Sequence, residues 1–427
     1  MKNSLSHSAD PAKNTVSAAM QSLANTCKIL QDQALSQNSP VQQKPDDSAL
    51  QKNILMSLYR HRAQWDWILN QRAKKIRPRL RRVLWWCLTE IHDLNGLAAP
   101  IVVDTAVEYT KHRYSPNDAK FVNAILRNYI AKNEHKTPVE ICASAPKFVQ
   151  LNLSECLYTR WRSHWDEAFL NELANTIQLE APTLFRKKPG PSSPSKTLGL
   201  LQPVSLSAPL NNAEFYMLKQ DAPKESLTSI MATGQFYIQD PSTLLAPSML
   251  QAQPGETIAD LCCAPGGKAL LLAEAMLNQG TLICRDRSES RLCRVRENLR
   301  DFSCATIAQG DATKPELPEQ SCDGILLDVP CSNTGVLKRR PDVRWNFSDE
   351  IFNGLVVLQK EILENSSKLL KNGGRLVYST CSIEPEENHL QIQAFLQRHS
   401  EFQLIKETQL FPDAMHDGGF AALIQKK

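Results

Sequence analysis

No two of the twelve cysteines in this chain lie three residues apart, so there is no C-x-x-C. That excludes the common structural zinc frameworks and a thioredoxin-like redox motif. The first twenty residues carry no apolar core with a cleavage site, so the sequence offers no signal peptide. No run approaches 18 consecutive apolar residues, which argues against a membrane-spanning helix. With neither feature, the expected compartment is the reducing cytoplasm, and the cysteines are expected as free thiols. Phosphate loops of the G-x-x-x-x-G-K-[ST] type and dinucleotide loops of the G-x-G-x-x-G type are missing too.

What remains is a chain of 427 residues, 42 % hydrophobic, with a mild net charge of +4. That length implies two to three domains. So small a charge does not indicate nucleic acid; only its distribution can.

Residues 1–48 are rich in Ser, Asn, Gln, Asp and Pro, and are expected to be largely flexible apart from a short amphipathic patch from Val16 to Leu30. Residues 49–140 carry apolar side chains at helical spacing, among them Ile54, Leu55, Leu58, Trp65, Ile68 and Leu69, which predicts an all-helical domain. Residues 145–235 mix helical patterns, short apolar runs and the loop "KKPGPSSPSKT", and are expected to form a small α+β domain. From 236 to 427 strands and helices alternate. Candidate strands cover 257–262, 280–286, 305–311, 323–329 and 375–380. The pattern predicts a doubly wound, Rossmann-like α/β domain with a mainly parallel sheet.

In such a sheet, ligands bind beyond the carboxyl ends of the strands. The first strand runs into "DLCCAPGGK", whose glycines let backbone approach a ligand before a helix begins. The second ends at Asp286, 26 residues after Asp260, where an acid can hold ribose hydroxyls. The third ends at Asp311, the fourth at Asp328 and Cys331, and the fifth at Cys381. Singly, each has an ordinary reading as turn, helix cap or packing residue. Their order on successive strands suits a nucleoside-bearing ligand.

"QDPSTLLAP", "DLCCAPGGK", "LLDVPCSNTG", "RRPDVRW", "YSTCSIEPEEN" and "DGGFAALIQKK" resemble, in order and spacing, the motifs of S-adenosylmethionine-dependent RNA 5-methylcytosine methyltransferases. "VDTAVEYTK" and "FVNAILRN" resemble the NusB-like RNA-binding domain fused to that enzyme in the bacterial 16S rRNA (cytosine-5-)-methyltransferase family RsmB. The chain departs from the family at Val329, where alanine is usual, at Arg287-Ser288 after Asp286, and in "LFRKKP".

The resemblance implies an S-adenosylmethionine cofactor, held by Cys262, Cys263, Ala264, Pro265, Gly266, Gly267 and Lys268 on the methionine side. It also implies Asp286 at the ribose, Asp311 on the adenine side, and Asp328 near both cofactor and base. It makes Cys381 the nucleophile and Cys331 the thiol that assists release or acts as base. The residues alone leave open which thiol attacks, because DNA cytosine methyltransferases use the Pro-Cys position. A thiolate suits the task, since it both adds to carbon 6 of cytosine and leaves again.

"RAKKIRPRLRR" holds seven basic residues and no acid: Arg72, Lys74, Lys75, Arg77, Arg79, Arg81 and Arg82. With Lys338, Arg339 and Arg340 it forms the expected RNA-binding surface. Small-subunit rRNA is the expected partner of a monomer with no metal and no membrane. The competing readings are a transfer RNA or other RNA substrate, and a non-catalytic NusB-like binding factor.

Overall fold

The computed structural model describes residues 11–35, 49–94, 96–133, 135–190, 195–223 and 225–427. Two compact units emerge. One comprises Met1–Ala174 with Arg340–Asn346, the other Asn175–Arg339 with Phe347–Lys427.

The first unit is helical, led by α1 (Pro11–Leu35), α2 (Ala49–Asn70), α3 (Pro78–Thr89), α4 (Ala99–Arg113) and α5 (Pro116–Asn133). α3 begins with Pro78 and α4 carries Pro100 at its second position; the fixed φ of proline suits a first turn that needs no N–H. The core gathers Leu23, Ile54, Leu58, Trp65, Trp86, Val102 and Leu126 from all five helices. The buried indole of Trp65 donates to Thr89 Oγ1 at 3.2 Å, so its polar edge is satisfied. Truncating a buried tryptophan such as Trp86 to alanine costs about 3–5 kcal/mol.

α1 corrects an expectation. The sequence boundary put the helical domain at residue 49, yet Ala19, Leu23, Cys27 and Leu30 of α1 lie in that same core. Residues 1–10 and 36–48 of the expected flexible segment, and 191–194 of the expected loop, lie outside the described residues.

Arg340–Asn346 also belongs to this unit. The guanidinium of Arg344 is fully buried and donates to the carbonyls of Arg60 (3.4 Å) and Asn152 (3.2 Å). Burial, with Arg60 nearby, lowers its pKa to about 9.

The second unit holds two sheets. The smaller is antiparallel in the order β2-β3-β1-β4, from β1 (Leu184–Lys187), β2 (Leu201–Val204), β3 (Phe215–Leu218) and β4 (Phe236–Ile238). It falls in the same unit as the larger sheet and not in a third one. The larger sheet has seven strands in the order β10-β11-β9-β8-β5-β6-β7. β5 (Thr257–Asp260), β6 (Thr281–Asp286), β7 (Ala305–Gln309), β8 (Cys322–Asp328) and β9 (Leu370–Thr380) run parallel. β10 (Phe402–Leu410) and β11 (Gly419–Lys426) close one edge antiparallel.

The α/β fold class and the five parallel strands are as expected. Central strands are apolar on both faces because helices cover both sides; in β8, Gly324 to Leu327 are all buried. Strand order reverses between β5 and β8, and there the carboxyl ends open a crevice.

Candidate active site

β5 ends at Asp260, which is completely buried. The chain turns through residues 261–266 into the helix Gly267–Ala275. Gly266 has φ +102°, and a Cβ there would sit 3.1 Å from Val295 Cα, so only glycine fits that turn. A cavity of about 200 Å³ lies against this turn, lined by Tyr237, Asp260, Cys262, Ala264, Lys268 and Asp328. A second, of about 180 Å³, sits at the ends of β6 and β7, lined by Leu261, Arg285, Gly310, Asp311 and Leu317 among others.

Lys268 Nζ donates to Asp328 Oδ2 at 2.8 Å. Burial works against the ammonium, but Asp328 outweighs it, with Cys381 and Asp260 adding to the effect, and the pKa lies above its ordinary value. Asp260 is in the opposite position. Neither of its oxygens has a hydrogen-bond partner; the Cys262 amide is near but outside hydrogen-bonding geometry. Burial, then the negative charge of Asp328, pushes its carboxyl up to about 8.

Asp286, buried at the end of β6, works within the protein. Its Oδ2 accepts from the Ala264 amide at 3.1 Å and its Oδ1 from the Ser288 amide at 2.9 Å. It thus ties the glycine turn to the end of β6, with Arg291 Nη1 3.8 Å from Oδ2. Asp311 Oδ1 accepts from the amide and hydroxyl of Thr313, which hold the carboxyl below its usual range.

The two cysteines meet. Cys331 Sγ and Cys381 Sγ are 3.2 Å apart, at the ends of neighbouring strands β8 and β9. Cys381 is half-buried and Cys331 buried. The Cys381 thiol also donates to Asn333 Oδ1 at 3.2 Å. The contact with Cys381, then burial, pushes the Cys331 thiol well above its ordinary pKa. Cys262 is raised as well, mainly by burial, which suits a packing role in the turn. Cys263 lies buried in the core beneath it.

A family model described as 16S rRNA methyltransferase RsmB/F matches residues 247–420, and a NusB family model matches 13–131. Ribosomal RNA small subunit methyltransferase B from Escherichia coli is 31% identical over 97% of this chain and 99% of its own length. The chain belongs to the RsmB/F family of 16S rRNA methyltransferases. The solved structure of PH0851 shares the fold, with TM-score 0.76 and 22% identity over 99% of this chain and all of its own. A methyltransferase homologue from Pyrococcus horikoshii aligns over 66% of this chain and 98% of its own, with TM-score 0.55 and 27% identity.

Within this RsmB/F chain, part of the expected RNA surface needs correction. Lys338 is fully buried; its ammonium donates to the carbonyls of Asp413 (2.5 Å) and His416 (2.9 Å). Arg339 donates to Asp417 Oδ2 at 2.8 Å, Asp240 Oδ2 at 2.9 Å and the Pro182 carbonyl at 3.1 Å. Lys338 is thus spent on buried carbonyls, and Arg339 on the buried acids Asp240 and Asp417. Arg340 pairs with Asp342 at 2.9 Å.

In the first basic run, the acids missing from the sequence come from other helices. Arg77 and Arg79 pair with Asp118, and Arg81 with Asp66. Arg72 lies over the Tyr129 ring, 4.7 Å from its centroid. Lys74 and Lys75 are exposed and Arg82 is half-buried. Among the described residues no cluster of His, Cys, Asp or Glu could hold a metal ion, and no helix is long and apolar enough to cross a membrane.

The sequence reading passed over Asp260, Asn333 and Glu387. All three stand inside quoted motifs, but only burial and partners distinguish them from ordinary turn residues.

Proposed function

We propose that this chain methylates carbon 5 of a cytosine in 16S rRNA, using S-adenosylmethionine and a covalent bond from Cys381 to the base. The observation that carries the reading is the pair of thiols 3.2 Å apart, with the Lys268–Asp328 ion pair in electrostatic reach of Cys381.

The residues fit the cofactor. Asp260 offers two unpartnered buried oxygens on the wall of the first cavity, where an ammonium would satisfy them. The first turn of the helix Gly267–Ala275 has free N–H groups for a carboxylate. Asp286 is suited to the ribose, and the second cavity, with Leu261, Leu317 and Asp311, to the adenine. When bound, S-adenosylmethionine supplies an electrophilic sulfonium methyl to a carbon 5 made electron-rich.

Cys381, as thiolate, adds to carbon 6 of the base. Asp328 accepts from the N4 amino group and orients the ring for attack, while Lys268 holds Asp328 in place. Cys331, 3.2 Å from Cys381, stands beside the reacting carbons; once its own proton has passed to solvent, its thiolate takes up the proton leaving carbon 5. The C6–S bond then breaks and Cys381 leaves as thiolate. The half-buried position of Cys381 supports it as the attacking thiol, since a base must reach it. The base must leave its stack, or lie in an open loop, to reach both sulfurs.

The partner RNA places the chain in the cytoplasm, and Lys74 and Lys75 are candidates for phosphate contacts. A non-catalytic NusB-like factor would need neither the thiol pair nor the unpartnered Asp260. Bisulfite sequencing of ribosomal and transfer RNA from cells with and without the gene tests the substrate. A 16S cytosine that loses protection only when the gene is deleted supports the reading; a transfer RNA site alone would replace it.

A further inference from the structure

Glu387 lies six residues beyond Cys381 and takes no part in the chemistry above. Its side chain is completely buried. Oε1 accepts from the Ser332 amide at 2.8 Å and from Gln359 Nε2 at 2.9 Å, and Oε2 accepts from the Ser332 hydroxyl at 2.5 Å. Gln359, on the helix Asp349–Ser366, gives its other N–H to the Pro330 carbonyl at 2.9 Å. Pro330 and Ser332 are the two neighbours of Cys331. One buried carboxylate and the amide it holds therefore grip the chain on both sides of that cysteine.

The grip reaches the other thiol. The Ser332 hydroxyl lies 3.1 Å from the Ser382 hydroxyl, next to Cys381. Thr334 Oγ1 lies 3.1 Å from the same hydroxyl and accepts from the Ile383 amide at 3.1 Å. The Gly335 amide donates to the Cys381 carbonyl at 3.0 Å. These bonds join the loop after β8 to the loop after β9. Glu387 is the hydrogen-bonding centre from which the loop around Cys331 is held. A buried carboxylate is costly to keep, and burial does raise this one's pKa; three converging donors compensate.

We propose that Glu387 is a positioning residue: through Ser332 and Gln359 it sets Cys331 against Cys381 for the release step. The kinetic half of this rests on the release role given to Cys331 above; the geometric half does not.

Two measurements separate the halves. Dibromobimane becomes strongly fluorescent when it bridges two thiols, so it reports the pair without any RNA. Wild-type protein should bridge Cys331 to Cys381, with Cys331→Ser giving the background from other thiols. Glu387→Ala should lower the specific bridging rate several-fold, measured where circular dichroism shows the variant folded. Glu387→Gln should bridge like wild type. Its Oε1 still accepts from Ser332 N–H and Gln359, while its Nε2 donates to the Ser332 hydroxyl, which can turn toward Ser382.

In the second measurement, each variant turns over small-subunit RNA with labelled S-adenosylmethionine, and denaturing gels detect covalent protein–RNA adduct. Glu387→Ala should accumulate adduct, as is expected of Cys331→Ala, with kcat down about ten-fold. Glu387→Gln should not. Wild-type bridging in Glu387→Ala, or a Glu387→Gln as impaired as Glu387→Ala, overturns the proposal. So does a Glu387→Ala that loses adduct and turnover together. If Cys331→Ala itself forms no adduct, the release role falls and the kinetic half with it. The bridging result then decides the geometric half alone.

Discussion

Cys331 and Cys381 stand 50 residues apart in the chain and 3.2 Å apart at their sulfurs. Adjacent parallel strands produce this: Asp328 of β8 pairs with Ser379 of β9, and each cysteine follows within three residues. Such closeness allows one thiol to act on the base while the other works at the neighbouring carbon. Cys381→Ala should therefore abolish methyl transfer and adduct alike. Cys331→Ala should form adduct and release it slowly. Labelled methyl transfer together with denaturing gels distinguishes them; the reverse pattern would exchange the two roles.

Lys268 and Asp328 should behave as one unit. Asp328→Asn removes the charge that holds the base edge, and Lys268→Met frees Asp328 to move. Each is expected to lower kcat by about 10²-fold, the usual cost of losing one transition-state contact. Because the residues share a hydrogen bond, the double variant should lose far less than the product of the two. A fully multiplicative loss would show that the pair acts independently.

Asp260 gives the folded protein a distinctive pH dependence. Its carboxyl is raised from 3.8 to about 8, chiefly by burial. Between those values the unfolded chain has released a proton that the folded chain keeps. Stability therefore falls as pH rises through this window and levels off above the folded pKa. Asp260→Asn, close in shape to the protonated acid, should have a melting temperature that varies less between pH 5 and 9. Its gain over wild type should be greatest at the alkaline end. Thermal melts without cofactor check this; parallel curves for the two proteins would exclude it.

The parallel strands could be read from sequence because burial on both faces makes each a short apolar run ending in a chemical residue. The edge was less visible. β10, "FQLIKETQL", is mostly exposed, and its charges give no apolar run to read. Helix α1 was read only as a short patch, since Leu23, Cys27 and Leu30 are spread among polar residues. Lys338 and Arg339 read as surface cations because the acids and carbonyls that bury them, at Asp240, Asp413, His416 and Asp417, are distant in sequence. Glu387 was passed over for the same reason: its partners Ser332 and Gln359 are distant in sequence. A buried polar group is recognised by its partners, and partners belong to tertiary structure.

Arg186 joins the smaller sheet to the helix of the glycine turn. Its guanidinium binds Glu274 at 2.8 and 3.1 Å, and Gln239 Oε1 at 2.7 Å. Both charged side chains are almost entirely buried, at 3% and 10% exposure. Arg186→Ala leaves Glu274 unpaired and should cost about 3–5 kcal/mol. Replacing both residues with leucine should recover most of that loss. Urea unfolding midpoints measure it; a single variant within 1 kcal/mol of wild type would mean water reaches Glu274 (roughly the surface-pair range).

Gly335 packs tightly against the backbone of Cys381 and Gly418. A Cβ at this position would lie 2.7 Å from Gly418 O and 2.9 Å from Cys381 O. All of the nearest atoms are backbone, so the strain cannot be relieved by turning a side chain. Gly335 also donates its amide to Cys381 O and accepts from the Gly418 amide at 2.8 Å. Gly335→Ala must therefore displace the Cys381 loop, the Gly418 turn or its own loop. A shift of an ångström at a reacting group can cost about 10²-fold in rate. The variant should keep most of its cofactor affinity by calorimetry, because Asp260, Asp286 and the glycine turn lie on other strands. Its kcat should fall about 10²-fold, with dibromobimane bridging of the thiols reduced in parallel. Unchanged kcat would mean that the loops absorb the added methyl group without moving the sulfurs.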